Sequence, residues 1–78
     1  MIINMKEIIP RVTVDARIRF GKPVIKGTRV PVDLIVGKIA GGMTVIEVAK
    51  EYKLKGEDVL AALRYAARVV NEESLLYA

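Results

Sequence analysis

Residues 21–32, GKPVIKGTRVPV, restrict their own backbone more than any other part of the 78-residue chain. Glycine adopts backbone angles closed to other residues, whereas proline fixes its own φ and holds the preceding residue extended. Two glycines and two prolines within these twelve residues therefore predict a loop of a single shape. Proline is also favoured at the start of a helix, so Pro31 predicts a first helix that begins at Val32 or Asp33.

Two further helices follow the first. The first helix is expected to end at Gly41 and Gly42, because glycine commonly follows a helix C-terminus. The second opens with a capping box, in which the side chains of Thr44 and Glu47 each accept a hydrogen bond from the other residue's backbone N–H. The third is predicted to extend from about residue 56 to residue 70.

Only four residues, 53–56, join the second and third helices, as in a helix-turn-helix. The turn of that motif contains a left-handed residue, and this position falls on Lys53, which is less suited to it than glycine. The 100° periodicity of the third helix places Ala61 and Tyr65 on its outer face. The predicted fold is therefore mainly α, a three-helix bundle with a helix-turn-helix.

The N-terminal part of the chain contains β-branched alternation that predicts short strands at residues 11–14, 18–20 and 23–25. These strands are too few to form a sheet alone. Residues 1–31 are therefore predicted to be a short β extension that ends in the basic signature loop. Residues 32–71 form the three-helix domain, and residues 72–78 form a flexible tail.

The net charge of +4 is concentrated at the N-terminal end. Residues 1–31 contain seven Lys or Arg and two acids, which gives +5, whereas the remainder contains six against seven, which gives −1. A local excess of positive charge suits nucleic acid or an acidic protein. Ordinary solvated surface charge is the alternative, and the sequence leaves both open.

The candidate DNA-binding residues lie in the loop and on the outer face of the third helix. Glu57 and Asp58 at the start of that helix would repel phosphates, yet acids at this position also complement the helix dipole. Arg29 can clamp a phosphate with Thr28, or it can pair with Asp33 and fix the start of the first helix. The DNA-binding hypothesis names six side chains: Lys22, Lys26, Thr28, Arg29, Arg64 and Arg68.

The first helix is apolar on nearly every side, with the sequence VDLIVGKIA over residues 32–40. Such a helix is buried on more than one face, and a chain of 78 residues has little core with which to cover it. The sequence therefore predicts a homodimer. Its expected interface takes two residues from the first predicted strand and two from this helix: Val12, Val14, Ile35 and Ile39.

The composition argues against an enzyme, a metal site and a bound cofactor. Cys and His are absent, so the chain offers neither a familiar nucleophile and base pair nor a zinc ligand set. The loop is not a P-loop, because Gly27 is followed by Thr28 and Arg29 rather than by Lys and then Ser or Thr. No apolar run reaches the roughly 18 residues of a membrane span, so we expect a cytoplasmic protein without a membrane partner.

The pattern Gly-x-Pro-x-Ile-x-Gly-Thr-Arg-x-Pro-Val at residues 21–32 resembles the signature of a prokaryotic family, domain of unknown function four-three-three. The resemblance extends from about Arg11 to Val70. It implies a homeodomain-like three-helix unit with an N-terminal β extension. It also implies a VapB-like antitoxin encoded beside a PIN-like ribonuclease toxin.

Two functions follow as hypotheses. In the first, the chain is a dimeric DNA-binding antitoxin or transcriptional regulator of a toxin-antitoxin operon, and it neutralises a PIN-like ribonuclease. In the second, it is a protein-interaction or dimerisation module that binds a toxin partner and does not bind DNA. The basic N-terminal segment favours the first, and the acids at the start of the third helix favour the second.

Overall fold

The computed structural model describes residues 5–76, in which a small antiparallel sheet precedes three helices. Strands β1 (Met5–Ile9), β2 (Val12–Asp15) and β3 (Val24–Ile25) lie in the order β1-β2-β3. The β1–β2 register is irregular between Glu7 and Ile9, and the connection between these strands contains Arg11 in a left-handed conformation with φ 72°. Strand β1 was not predicted from the sequence.

The helices are α1 (Val32–Ala40), α2 (Val45–Glu51) and α3 (Gly56–Leu76). Helix α1 begins directly after Pro31 and ends before Gly41, as predicted. The predicted left-handed residue between α2 and α3 is confirmed, because Lys53 has φ 56°. Helix α3 continues six residues beyond its predicted end at Val70, and Tyr77 and Ala78 of the predicted tail lie outside the described residues.

The predicted fold class, a mainly α homeodomain-like bundle with a β extension, is wrong. Val12 of β2 and Ile25 of β3 are fully buried in the same core as Ile35, Val48 and Val59 of the three helices. A sheet this small has no core of its own, so it is stable only when one face packs on the helices. The chain is therefore a compact α+β fold in which sheet and helices share one core.

Residues 18–20 do not form the predicted strand. Arg19, Phe20 and Gly21 form a turn in which all three residues have positive φ, at 51°, 56° and 82°. Backbone hydrogen bonds hold it, from Gly21 N–H to Ile18 O at 3.1 Å and from Lys22 N–H to Arg19 O at 3.1 Å. We call residues 19–21 the left-handed turn.

The buried face of α3 also differs from the prediction. Ala61 is fully buried and Tyr65 packs against the core, although the periodicity placed both outside. Val59 and Ala62 are buried as well. Helix α3 contacts β2 in addition to α1 and α2. More of its circumference is therefore buried than contact with two helices alone would bury.

The start of α2 provides a test of local stability. Thr44 Oγ1 accepts from Glu47 N–H at 3.1 Å, and Glu47 Oε1 accepts from Thr44 N–H at 2.9 Å, which confirms the predicted capping box. We expect Thr44→Ala to lower the free energy of unfolding by ~1 kcal/mol. Urea denaturation measures it, with Ile46→Ala as the control because that side chain is 79% exposed. Equal midpoints for both variants would contradict a stabilising cap.

Candidate nucleic-acid interface

The acids at the start of α3 are paired with Arg11 from the connection between β1 and β2. Arg11 donates from Nη1 to Asp58 Oδ1 at 2.9 Å and from Nη2 to Glu57 Oε2. Asp58 also accepts from Lys55 N–H at 2.9 Å, so its carboxylate caps the helix. Both acids therefore have a structural role, because they join the β1–β2 connection to the start of α3. They also partly neutralise the charge that opposed a DNA-binding function.

Two of the predicted loop cations are paired with carboxylates. Lys22 Nζ lies 3.0 Å from Asp33 Oδ2, and Lys26 Nζ lies 3.1 Å from Glu7 Oε1. The bond from Lys22 lowers the pKa of Asp33. Hydrogen bonds from Arg11 N–H and then from Lys26 lower the pKa of Glu7. Both acids are therefore ionised at neutral pH, and each of the two lysines is already paired with a carboxylate.

Thr28 has a structural position inside the loop. Its Oγ1 donates to Ile25 O at 2.8 Å and accepts from Val30 N–H at 3.0 Å. A hydroxyl offers one donor, and here a backbone carbonyl receives it. Thr28 thus fixes the shape of the loop rather than offering its hydroxyl to phosphate.

Arg29 does not pair with Asp33, one of the two roles that the sequence allowed it. Instead, its carbonyl accepts a hydrogen bond from Arg19 Nε at 3.2 Å, which joins the left-handed turn to the signature loop. Both side chains are exposed, and no carboxylate among the described residues pairs with either guanidinium group. Two exposed arginines on adjoining segments, neither paired with a carboxylate among the described residues, offer donors suited to phosphate.

Phe20 lies between these arginines in sequence and is the most exposed large apolar side chain among the described residues, at 102%. Its left-handed backbone, with φ 56° and ψ 33°, costs about 1–2 kcal/mol at a residue other than glycine. Neither the exposure of the ring nor this conformation stabilises the fold. We call Arg19, Phe20 and Arg29 the arginine surface.

Of this surface, sequence reasoning identified only Arg29. The β-like pattern of residues 18–20 predicts a strand there, and nothing in the sequence places residue 19 beside residue 29. The available signal was an aromatic residue between an arginine and a glycine inside a basic segment. Aromatic side chains beside cations are the groups that single-stranded nucleic-acid sites use.

The two arginines predicted on α3 differ in their surroundings. Arg68 Nε donates to Glu72 Oε1 at 3.1 Å, an exposed pair one helical turn apart. Arg64 is exposed and pairs with no carboxylate in the described part of the chain. Arg64 is therefore a free cation on α3, while Arg68 has a local anion.

The predicted dimer residues divide into two pairs. Val12 and Ile35 have no exposed surface within the single chain, so they cannot contact a second copy. Val14 and Ile39 are half-buried and keep some surface. Val12 and Ile35 are therefore core residues, and the predicted dimer interface does not include them.

An apolar groove lies between α1 and the second half of α3. Its cavity volume is about 550 Å³, and Lys22 and Asp33 lie at its edge. Val69 and Val70 on α3 are 38% and 63% exposed. The apolar lining comes from both helices and from the loop: Pro23, Val32, Val36, Tyr65, Ala66, Val69 and Val70.

Asp15 at the end of β2 anchors the segment that leads into the left-handed turn. Its carboxylate is buried and accepts three hydrogen bonds from Arg17, from the Nε and Nη2 groups and from the backbone N–H, at 2.9–3.1 Å. The side-chain bonds, followed by the backbone bond, lower the pKa of Asp15, and the same side-chain bonds raise the pKa of Arg17.

The lowered pKa of Asp15 predicts an acid-sensitive contribution to stability. A carboxyl whose folded pKa is below its ordinary 3.8 stabilises the fold above that pH, and the contribution disappears as the pH falls through the folded pKa. We expect Asp15→Asn to destabilise the chain at pH 7, and we expect the difference from the native chain to shrink as the pH falls below 3.8 through the folded pKa. Urea midpoints across pH measure this, with Glu51→Gln as control, because that exposed carboxyl pairs with no cation among the described residues.

Within residues 5–76, no group of three Asp or Glu side chains is placed to hold a metal ion. None of the described helices combines the length and the apolar character needed to cross a membrane.

Residues 12–66 match the family described as protein of unknown function, DUF433, and the chain belongs to that family. No curated protein matches the chain. The crystal structure of Rv2018 from Mycobacterium tuberculosis is similar, with a TM-score of 0.61 and 33% identity. The match covers 67% of this chain and 24% of that one, so this chain spans about a quarter of the length of its structural relative.

Proposed function

We propose that the protein is a nucleic-acid-binding antitoxin or transcriptional regulator that acts as a dimer. The observation that carries this proposal is the arginine surface. There Arg19 and Arg29 lie on adjoining segments, and neither pairs with a carboxylate among the described residues. Phosphate contacts supply most of the affinity of DNA-binding proteins, and arginine binds phosphate through a fork of donors. The pairing of Arg11 with Glu57 and Asp58 weakens the main objection from the sequence, because it neutralises part of their negative charge.

The dimer and the toxin are supported by different observations. The apolar groove of about 550 Å³ between α1 and α3 is suited to burial against another protein. A PIN-like ribonuclease partner is what the family resemblance implies. Neither partner is needed for the arginine surface to bind phosphate.

A retardation assay tests the nucleic-acid part of the proposal. The full chain is titrated onto the DNA upstream of its own operon at several salt concentrations. We expect a complex at low salt whose affinity falls steeply as salt is added. Absence of any complex at low salt would end the DNA-binding proposal.

The groove favours a second candidate, a protein-interaction module that binds a toxin without binding DNA. Co-expression with a PIN-like ribonuclease from the neighbouring gene tests it, because an antitoxin should restore growth and co-purify with the ribonuclease. Val36→Asp on the groove should abolish co-purification if the groove is the contact, since a charge would be buried without a counterion. A stable ribonuclease complex without DNA binding would support this candidate over the first.

A further inference from the structure

We infer that the Phe20 ring stacks on a nucleobase while Arg19 and Arg29 bind the adjacent phosphates. This inference rests on the proposed nucleic-acid function and deepens it, because it names the part of the nucleic acid that the left-handed turn recognises.

The conformation of the left-handed turn is the first argument. Three consecutive residues have positive φ, and two of them are not glycine. The turn is closed by backbone hydrogen bonds and by Arg19 Nε, so the Phe20 ring takes no part in holding it. Glycine would suit the backbone of residue 20 better, and a polar side chain would suit its exposure better. Strained residues of this kind concentrate at functional sites.

The charge around the ring is the second argument. Arg19 is the adjacent residue, and Arg29 is held to it by the 3.2 Å hydrogen bond from Arg19 Nε to the Arg29 carbonyl. A partner that covers this surface must offer an apolar face for the ring and anions for two guanidinium groups. A nucleobase beside its phosphates offers both, and stacking on aromatic side chains is the usual form of such contacts.

A second copy of the chain is the competing occupant, because the α1–α3 groove is apolar and begins only two residues later, at Lys22. Insertion of Phe20 into that groove would bury Arg19 and bring the arginines of both copies towards one interface. The groove edge supplies one acid, Asp33, which is already paired with Lys22. The charges therefore favour nucleic acid over a second copy.

The experiment uses Phe20→Trp as a reporter, because the chain contains no tryptophan. We expect the single indole to be quenched when the chain binds an oligonucleotide, while Ile46→Trp, at an exposed site on α2, keeps its fluorescence. A single strand and a duplex of the same sequence are titrated separately. The oligonucleotide that quenches the tryptophan fluorescence shows whether the stacked base is unpaired or within a duplex.

Affinity gives an independent measurement. Phe20→Ala should weaken binding on the order of tenfold without changing the salt dependence, since the ring contacts no phosphate. Unquenched tryptophan and unchanged affinity, with the native chain still bound, would overturn the stacking inference and leave the proposed function intact. Conversion of a dimer to a monomer by Phe20→Ala without nucleic acid would assign the ring to the second copy. Failure of the native chain to bind either oligonucleotide would overturn both proposals.

Discussion

Replacing Ile35 with Asp is expected to unfold the protein. Ile35 has no exposed surface and lies in the core where helices and sheet meet. A carboxylate at this position would be buried without a cation or a hydrogen-bond donor, at a cost of several kcal/mol. A domain of this length has a total stability of only roughly 4–12 kcal/mol, so one such change removes most or all of it. Far-UV circular dichroism and urea denaturation measure the loss.

Leu34→Asp is the matched control for Ile35→Asp, because residue 34 is the preceding position on the same helix and is 37% exposed. Its carboxylate can reach water, so we expect a far smaller destabilisation. Ile35→Ala gives a measurable intermediate, with an expected loss of about 2–5 kcal/mol. If both Asp variants unfolded at the same urea concentration as the native chain, residue 35 would not be in the core.

Much of the helical region could be predicted because its signals are local. Pro31 and Gly41 delimit α1, the side chains of Thr44 and Glu47 satisfy each other's backbone at the start of α2, and Lys53 is left-handed in the following turn. Each of these signals depends on residues within one or two turns of the chain.

The fold class could not be predicted in the same way, because it depends on a contact between distant segments. Strand β1 pairs with β2 across a register irregularity, and β2 then buries Val12 against residues of all three helices. Strands this few and short cannot form an independent sheet, so the sequence predicts a β extension outside the helical core. The same shortness instead means that the sheet must pack on the helices to be stable.

The candidate interface was predicted in part. The basic loop was correctly recognised as the cationic region, but local charge counts do not show which cations already have an anion. Lys22 pairs with Asp33 eleven residues away, and Lys26 pairs with Glu7 nineteen residues away. Only the three-dimensional arrangement shows that Arg29 pairs with no carboxylate in the described part of the chain and that Arg19 Nε reaches the Arg29 carbonyl.

Removing the charges of Arg19 and Arg29 together is expected to nearly eliminate nucleic-acid binding by the native chain at moderate salt. Each lost phosphate contact lowers the slope of log K against log salt by about 0.9, so Arg19→Gln with Arg29→Gln should reduce it by ~2. At about 0.1 M salt this corresponds to roughly a 50-fold weaker complex. Retardation assays over a salt series measure both quantities.

Lys50→Gln with Lys55→Gln is the control with the same change in net charge. Both lysines are exposed, and neither pairs with a carboxylate in the described part of the chain. If total charge alone governed binding, both double variants would lose the same affinity. If the arginine surface is the interface, the lysine variant should keep the native salt slope, because long-range attraction weakens beyond a Debye length of about 10 Å at this salt concentration. A steeper loss for the lysine variant would move the interface to the end of α2 and the start of α3, away from the loop and the outer face of α3 where the sequence predicted the DNA-binding residues.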